Sequence, residues 1–440
     1  MDEKNGTELL IRCLREEETS VKKERLRKIT APEWDAVSQA AFHFSLAPLL
    51  YDRLRPFAEE VGLPADIERR LRGVYLSSAA RNVRLYSELA RVLKALKDAD
   101  IPVIPLKGSY LAGVVYGDAA LRPMNDIDLM VRQEDFRKTI ELLMSREYRA
   151  EGKVRPEDVF AVQQHHPPLT GRSGIPIEVH WTITQPKLNS LIMPPHPALS
   201  REGRGNNVIP QHAAGHHWIA EGIWHRARHG MVANVKVPVL SPEDLIIHLC
   251  IHAVQHHRLE GQLRSLFDIA RTVRFYAGHI DWPLMRDLAK LWGAERSVYL
   301  ALALAGRYAG ISGPDRFMTD IRPKNNTPEI FEIAETFLFN RSLIISRHVT
   351  KLWEQKGLIH TCRYLLGRFF LPRIELAVHY GVPSNSMKVY LYYLMRWRDI
   401  VRRHLRTVAR VLCRDQGATK DLEISIRQNV LLSWLSNEKG

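Results

Sequence analysis

Through the first hundred residues hydrophobic positions recur every three or four places. Examples are SLAPLLYDRL (45–54) and RLYSELARVLKALKDA (84–99), the spacing of amphipathic helices. Pro64 and Pro102 punctuate this run. The texture changes after Asp100, where IPVIPL (101–106) is an apolar run of strand length closed by Gly108. From there strand and helix patterns alternate. A strand through Leu106 is followed by a helix near Ser109–Tyr116, a polar turn at Gly117-Asp118 and a strand at Ile127–Val131. An amphipathic helix from about Gln133 to Ser145 and a strand at Ile175–Trp181 complete the series. The pattern predicts an α+β fold: a small mixed-sheet core over residues 100–184, behind an N-terminal helical region at 1–99.

Residues 185–217 break the pattern. They hold five prolines and three glycines with no apolar period, which reads as a disordered insertion or exposed loop. A helical domain is expected over 218–325, its helical texture becoming clear at Ser241-Pro242-Glu243-Asp244. There serine suits the N-cap and proline the first helical position. A basic, mostly helical region follows over 326–440.

Composition adds limits. At 440 residues the chain is long enough for two or three units, and its 45% apolar share argues against wholesale disorder. Nothing resembles a membrane span or a secretion signal. Cys13, Cys250, Cys362 and Cys413 lie far apart without CxxC spacing, as expected of reduced thiols in a cytoplasmic protein. The net charge of +14 is concentrated between Arg341 and Arg414, where Lys and Arg far outnumber Asp and Glu. Such a stretch suits phosphates, nucleic acid or an anionic surface, and equally a solvated helical face. Walker-type, GxGxxG and GxSxG motifs are absent, which removes the usual support for P-loop, dinucleotide-binding and serine-hydrolase chemistry.

Three short segments carry candidate chemistry. Lys107-Gly108-Ser109 forms a strand-to-helix corner, where glycine allows close backbone approach and a helix start offers partial positive charge to a phosphate. Asn125-Asp126-Ile127-Asp128 places two carboxylates on one strand face, roughly 6–7 Å apart, where a divalent cation could relieve their repulsion. Pro176-Ile177-Glu178-Val179-His180 puts Glu178 and His180 on one face of a later strand. The plain alternative is a pair of polar strand faces with solvated acids.

In this order the segments resemble the polymerase-β-like nucleotidyltransferase superfamily. LKGSYLAGVVYGDAALRPMNDIDLMV, IEVHW and LSPEDLIIHLCIHAV more specifically resemble the bacterial uncharacterised nucleotidyltransferase family, over roughly residues 30–410 without the insertion. The resemblance implies Asp126, Asp128 and Glu178 as catalytic metal ligands, and Gly108 and Ser109 as the nucleotide-holding corner. Lys107 and Arg122 are further expected phosphate contacts. It implies Mg²⁺ or Mn²⁺, two ions with a nucleoside triphosphate, and transfer of a nucleoside monophosphate to an unidentified small-molecule or protein acceptor. A non-catalytic nucleotide- or partner-binding protein on the same fold is one alternative. A nucleic-acid-directed transferase using the basic C-terminal region is another.

His248, His252 and His256 recur at four-residue spacing and form a stripe along one expected helix. Three imidazoles on one face could bind zinc, yet the HExxH pattern is absent, and the plain reading is a packed helix whose histidines face the catalytic domain.

Overall fold

The computed structural model describes residues 3–15, 19–150, 165–183, 214–325, 327–339, 371–412 and 416–436. The expected insertion at 185–217 lies outside these residues up to 213, as does much of the basic C-terminal stretch.

The fold is α+β, with a small sheet flanked by helices on both sides in sequence. Five strands, β1 (Val103–Pro105), β2 (Ile127–Val131), β3 (Arg149–Ala150), β4 (Leu169–Thr170) and β5 (Pro176–His180), run in the order β1-β2-β5-β4-β3. β1 and β2 pair antiparallel with Ile104 opposite Met130. All five residues of β2 are buried, including Asp128 at 3% exposure, which is unusual for an acid in a strand. The helix Gln133–Ser145 follows β2 with Phe136, Ile140 and Leu143 inward.

Residues 1–148, 170–179 and 222–341 form one compact unit. Its backbone is the helix Ala65–Asp98, long because no glycine or proline interrupts its interior except Gly73. At about 1.5 Å per residue it spans roughly 50 Å. Its apolar face buries Leu71, Leu85, Leu89, Val92, Leu93 and Leu96. Polar side chains in its middle pin the segment between β1 and β2. The Asn82 amide donates to the carbonyls of Ala119 and Arg122, Arg81 donates to the Met124 carbonyl, and Tyr75 donates to Asp118. The Tyr86 hydroxyl takes the N–H of Gly113 at 2.7 Å.

Two features of residues 218–325 stand out. The stretch is not wholly helical, because Arg228–Val232 (β6) and Val235–Val239 (β7) form an antiparallel hairpin. Its turn residues Ala233 and Asn234 both have positive φ, the two-residue geometry that matches strand twist. The helix Pro242–Ile251 begins as the sequence predicts, with the Ser241 hydroxyl accepting the Asp244 N–H at 3.1 Å. Asp244 does not reach back to the Ser241 backbone. It accepts from the Ser241 hydroxyl and forms a forked pair with Arg226.

A second unit includes the described residues 371–412 and 416–436. Among its described parts, Leu376, Ala377 and Val389 make a small core covered by Tyr380, Val382, Tyr392 and Tyr393. The helix Lys388–Leu412 exposes Tyr390, Leu391, Leu394 and Trp397. Among the described residues, no helix is long and apolar enough to cross a membrane. Cys13 and Cys250 are buried free thiols whose pKa values burial pushes up, to about 12 for Cys13. Cys362 and Cys413 lie outside the described residues.

Candidate metal and nucleotide site

β1 ends at Pro105, and the chain turns through Leu106 into a helix at Lys107–Tyr110 that continues as a π-turn over Leu111–Val115. Lys107 makes this corner with φ of +43°, a left-handed conformation disfavoured for a residue with a side chain. The strain places its ammonium 2.8 Å from Oδ1 of Asp128. Ser109 is almost fully buried, and its hydroxyl accepts the Asp128 N–H at 3.2 Å. The Leu106 N–H closes the corner on the Asp128 carbonyl. Lys107, Ser109 and Leu106 thus all grip Asp128.

Asp126 sits one residue before β2 and is partly buried. Burial, then the negative charges of Asp128 and Glu178, raise its carboxyl pKa above the ordinary aspartate value. Lys107 and Arg122 offset part of this. The three expected acids are therefore close enough to repel one another. Glu178 lies at the centre of β5, the strand next to β2. Burial opposes the Lys107 charge. The charge of Asp128, its hydrogen bond, and then Glu178 and Asp126 outweigh that effect and hold the lysine pKa above its ordinary value.

Asp128, Glu178 and His180 each offer a ligand atom, and those atoms lie within 4.8 Å of one another. Two carboxylates and one imidazole nitrogen at this separation could together hold a metal ion. Asp126, expected as a ligand, is outside this closest group, although it shares its electrostatic field. His180 enters it because two residues along a strand return to the same face.

A family sequence model for uncharacterised nucleotidyltransferases matches residues 30–204 and 205–310, well over half the chain. The protein belongs to the uncharacterised nucleotidyltransferase family. No curated protein and no solved structure matches the chain.

Around this family core lies a buried polar frame that the motifs do not announce. Arg122, expected beside a phosphate, gives Nε and Nη2 to Asp268 on the helix Leu263–Phe275. The Tyr116 hydroxyl donates to the same carboxylate at 2.8 Å. Arg264 and Arg271 from that helix donate to the carbonyls of Pro123, Val115 and Tyr116. A single acid among Leu263, Leu266, Phe267, Ile269 and Val273 is the signal that could have revealed Asp268. A carboxylate on a buried face needs a partner.

The histidine stripe is present but altered. The regular helix ends at Ile251, and His252–His256 form a second π-turn. His257, outside the four-residue pattern, sits one π-turn above His252, and their Nε2 atoms are 3.2 Å apart.

Proposed function

We propose that this protein is a metal-dependent nucleotidyltransferase that moves a nucleoside monophosphate from a nucleoside triphosphate to a small-molecule or protein acceptor. The observation that carries the reading is the convergence of Asp128, Glu178 and His180 within 4.8 Å beside the Lys107-Gly108-Ser109 corner. Asp126, Asp128 and Glu178 are the metal-holding carboxylates of this reading, with two Mg²⁺ or Mn²⁺ ions accompanying the nucleotide. When bound, the ions supply charge neutralisation at the α-phosphate and at the departing pyrophosphate.

The chain's own groups supply the rest. Gly108 and Ser109 form the corner that would hold the nucleotide: the glycine permits close approach of phosphate oxygens, and the Ser109 hydroxyl fixes β2 so that Asp128 keeps its position. Lys107 shares Asp128 with any cation there, and its strained backbone keeps its ammonium beside the acids. Arg122 shapes the corner from behind: Asp268 holds its other nitrogens while Nη1 lies toward Gly108. The acids can hold an acceptor hydroxyl and take its proton as it attacks in line with the leaving pyrophosphate.

The test is incubation of the full chain with each labelled nucleoside triphosphate and Mg²⁺ or Mn²⁺, offering itself, RNA or a cell extract as acceptor. Label transfer that disappears in Asp126→Asn/Asp128→Asn protein supports the reading. Absence of any nucleotide binding would sink it.

A further inference from the structure

In an α-helix, residues five apart point in different directions, because 3.6 residues complete a turn. In a π-turn they stack, because the hydrogen bond runs from residue i to i+5. The His257 N–H bonds to the His252 carbonyl in this way, and the imidazoles meet edge to face with centroids 4.4 Å apart. His256, at the regular spacing, lies farther from His252, at 5.7 Å. The π-turn therefore builds an imidazole pair that a regular helix would not make. His252 is partly buried and His257 exposed, so solvent and ligand can reach the pair.

The chain next passes through Arg258 and Leu259, both with left-handed backbones, and reaches Arg264 in the first turn of the next helix. Arg264 is partly buried. Its Nη1 donates to the Pro123 carbonyl, three residues before Asp126. This guanidinium has five donors in a rigid fork that suits phosphate oxygens. Lys107 lies close enough to act electrostatically on both imidazoles. Arg264, Asp128 and Glu178 act in the same way on His257. The imidazole pair thus lies within electrostatic reach of Lys107, and His257 within reach of Arg264, Asp128 and Glu178, near enough to meet the far phosphates of a nucleotide whose α-phosphate met those acids.

We propose that His252, His257 and Arg264 form the subsite that receives the β- and γ-phosphates of a nucleoside triphosphate, and so select triphosphate over monophosphate. This rests on the nucleotidyltransferase reading. The imidazole pair would donate the one ring N–H that its own Nε2–Nε2 hydrogen bond leaves, and Arg264 the guanidinium N–H groups not given to the Pro123 carbonyl.

The test measures binding of the four nucleoside triphosphates, the matching monophosphates and inorganic pyrophosphate to full-length protein with Mg²⁺, by titration calorimetry. Wild type is compared with His257→Gln, His252→Gln and Arg264→Gln. Folding is checked by circular dichroism; the exposed His257 site carries the test if Arg264→Gln unfolds. The expected result is weaker triphosphate and pyrophosphate binding, by roughly tenfold per variant, with monophosphate affinity unchanged. Folded variants that keep the wild-type preference for triphosphate would overturn the subsite alone, as would a wild type that binds triphosphate and monophosphate equally. A wild type that binds no nucleotide would overturn both this inference and the reading beneath it.

Discussion

Asp268 holds Nε and Nη2 of Arg122 at 3.0–3.1 Å across 146 residues of sequence, and both side chains are nearly withdrawn from solvent. This buried pair links the helix Leu263–Phe275 to the turn before Asp126. Removing one member of such a pair leaves the other as an uncompensated charge, costing about 3–5 kcal/mol. Asp268→Asn keeps the shape and most hydrogen-bonding capacity while deleting the charge. It is expected to lower stability by that order, measured by urea unfolding. A loss under about 1 kcal/mol would show that solvent already reaches Arg122.

Gly108 and Arg122 are one structural choice. A β-carbon on Gly108 would lie 2.5 Å from Nη1 of Arg122 and 3.0 Å from the Met124 sulfur. The arginine tip cannot simply swing away while Asp268 holds it. Gly108→Ala is expected to cost about 1–3 kcal/mol through overpacking and to weaken nucleotide binding. The double variant Gly108→Ala/Arg122→Ala should lose less than the sum of the single losses, because removing Arg122 also removes the clash. Strictly additive losses in a double-mutant cycle would contradict the contact.

Asp126 and Asp128 should respond differently to neutralisation. Asp128 has Lys107 as a close partner, whereas Asp126 is disfavoured as an anion by burial and by its two acidic neighbours. Asp126→Asn is therefore expected to melt no lower than wild type while nucleotidyl transfer is lost. Such an inverse relation between stability and activity marks groups held for chemistry. Thermal melting and label transfer on one preparation check it. A clear fall in melting temperature would mean that Asp126 stabilises the fold.

The core was legible because its signals are local. β2 occupies the predicted Ile127–Val131, and the following helix the predicted Gln133–Ser145. An apolar run around one acid and a 3.6-residue period are both visible within a dozen residues. What stayed hidden depends on partners far apart in sequence or on unusual backbone. Arg122 and Lys107 both read as phosphate contacts, and neither the Asp268 partner of the one nor the left-handed backbone that sets the other beside Asp128 is visible in the sequence. The hairpin at 228–239 turns on Ala233-Asn234, which lacks the Asn-Gly or Asp-Gly signature of a tight turn. His257 escaped because a four-residue period assumes an α-helix, and the chain makes a π-turn there.

The imidazole pair gives stability a pH dependence whose sign follows from its surroundings. Burial, then the charges of Lys107 and of the neighbouring His257, His248 and His256, hold the pKa of His252 well below the ordinary 6.5. Partial desolvation by the protein around the ring, then Lys107 and Arg264, lower His257, with Asp128 and Glu178 partly opposing. The folded protein therefore resists protonation at these rings. As pH falls below 6.5, the unfolded chain takes up these protons first, and stability present above that pH is progressively lost. Urea midpoints measured from pH 7.5 down to 5 should fall more steeply for wild type than for His252→Gln, which cannot take up that proton. Parallel curves for the two proteins would show that His252 is as free to protonate in the folded state as in the unfolded chain.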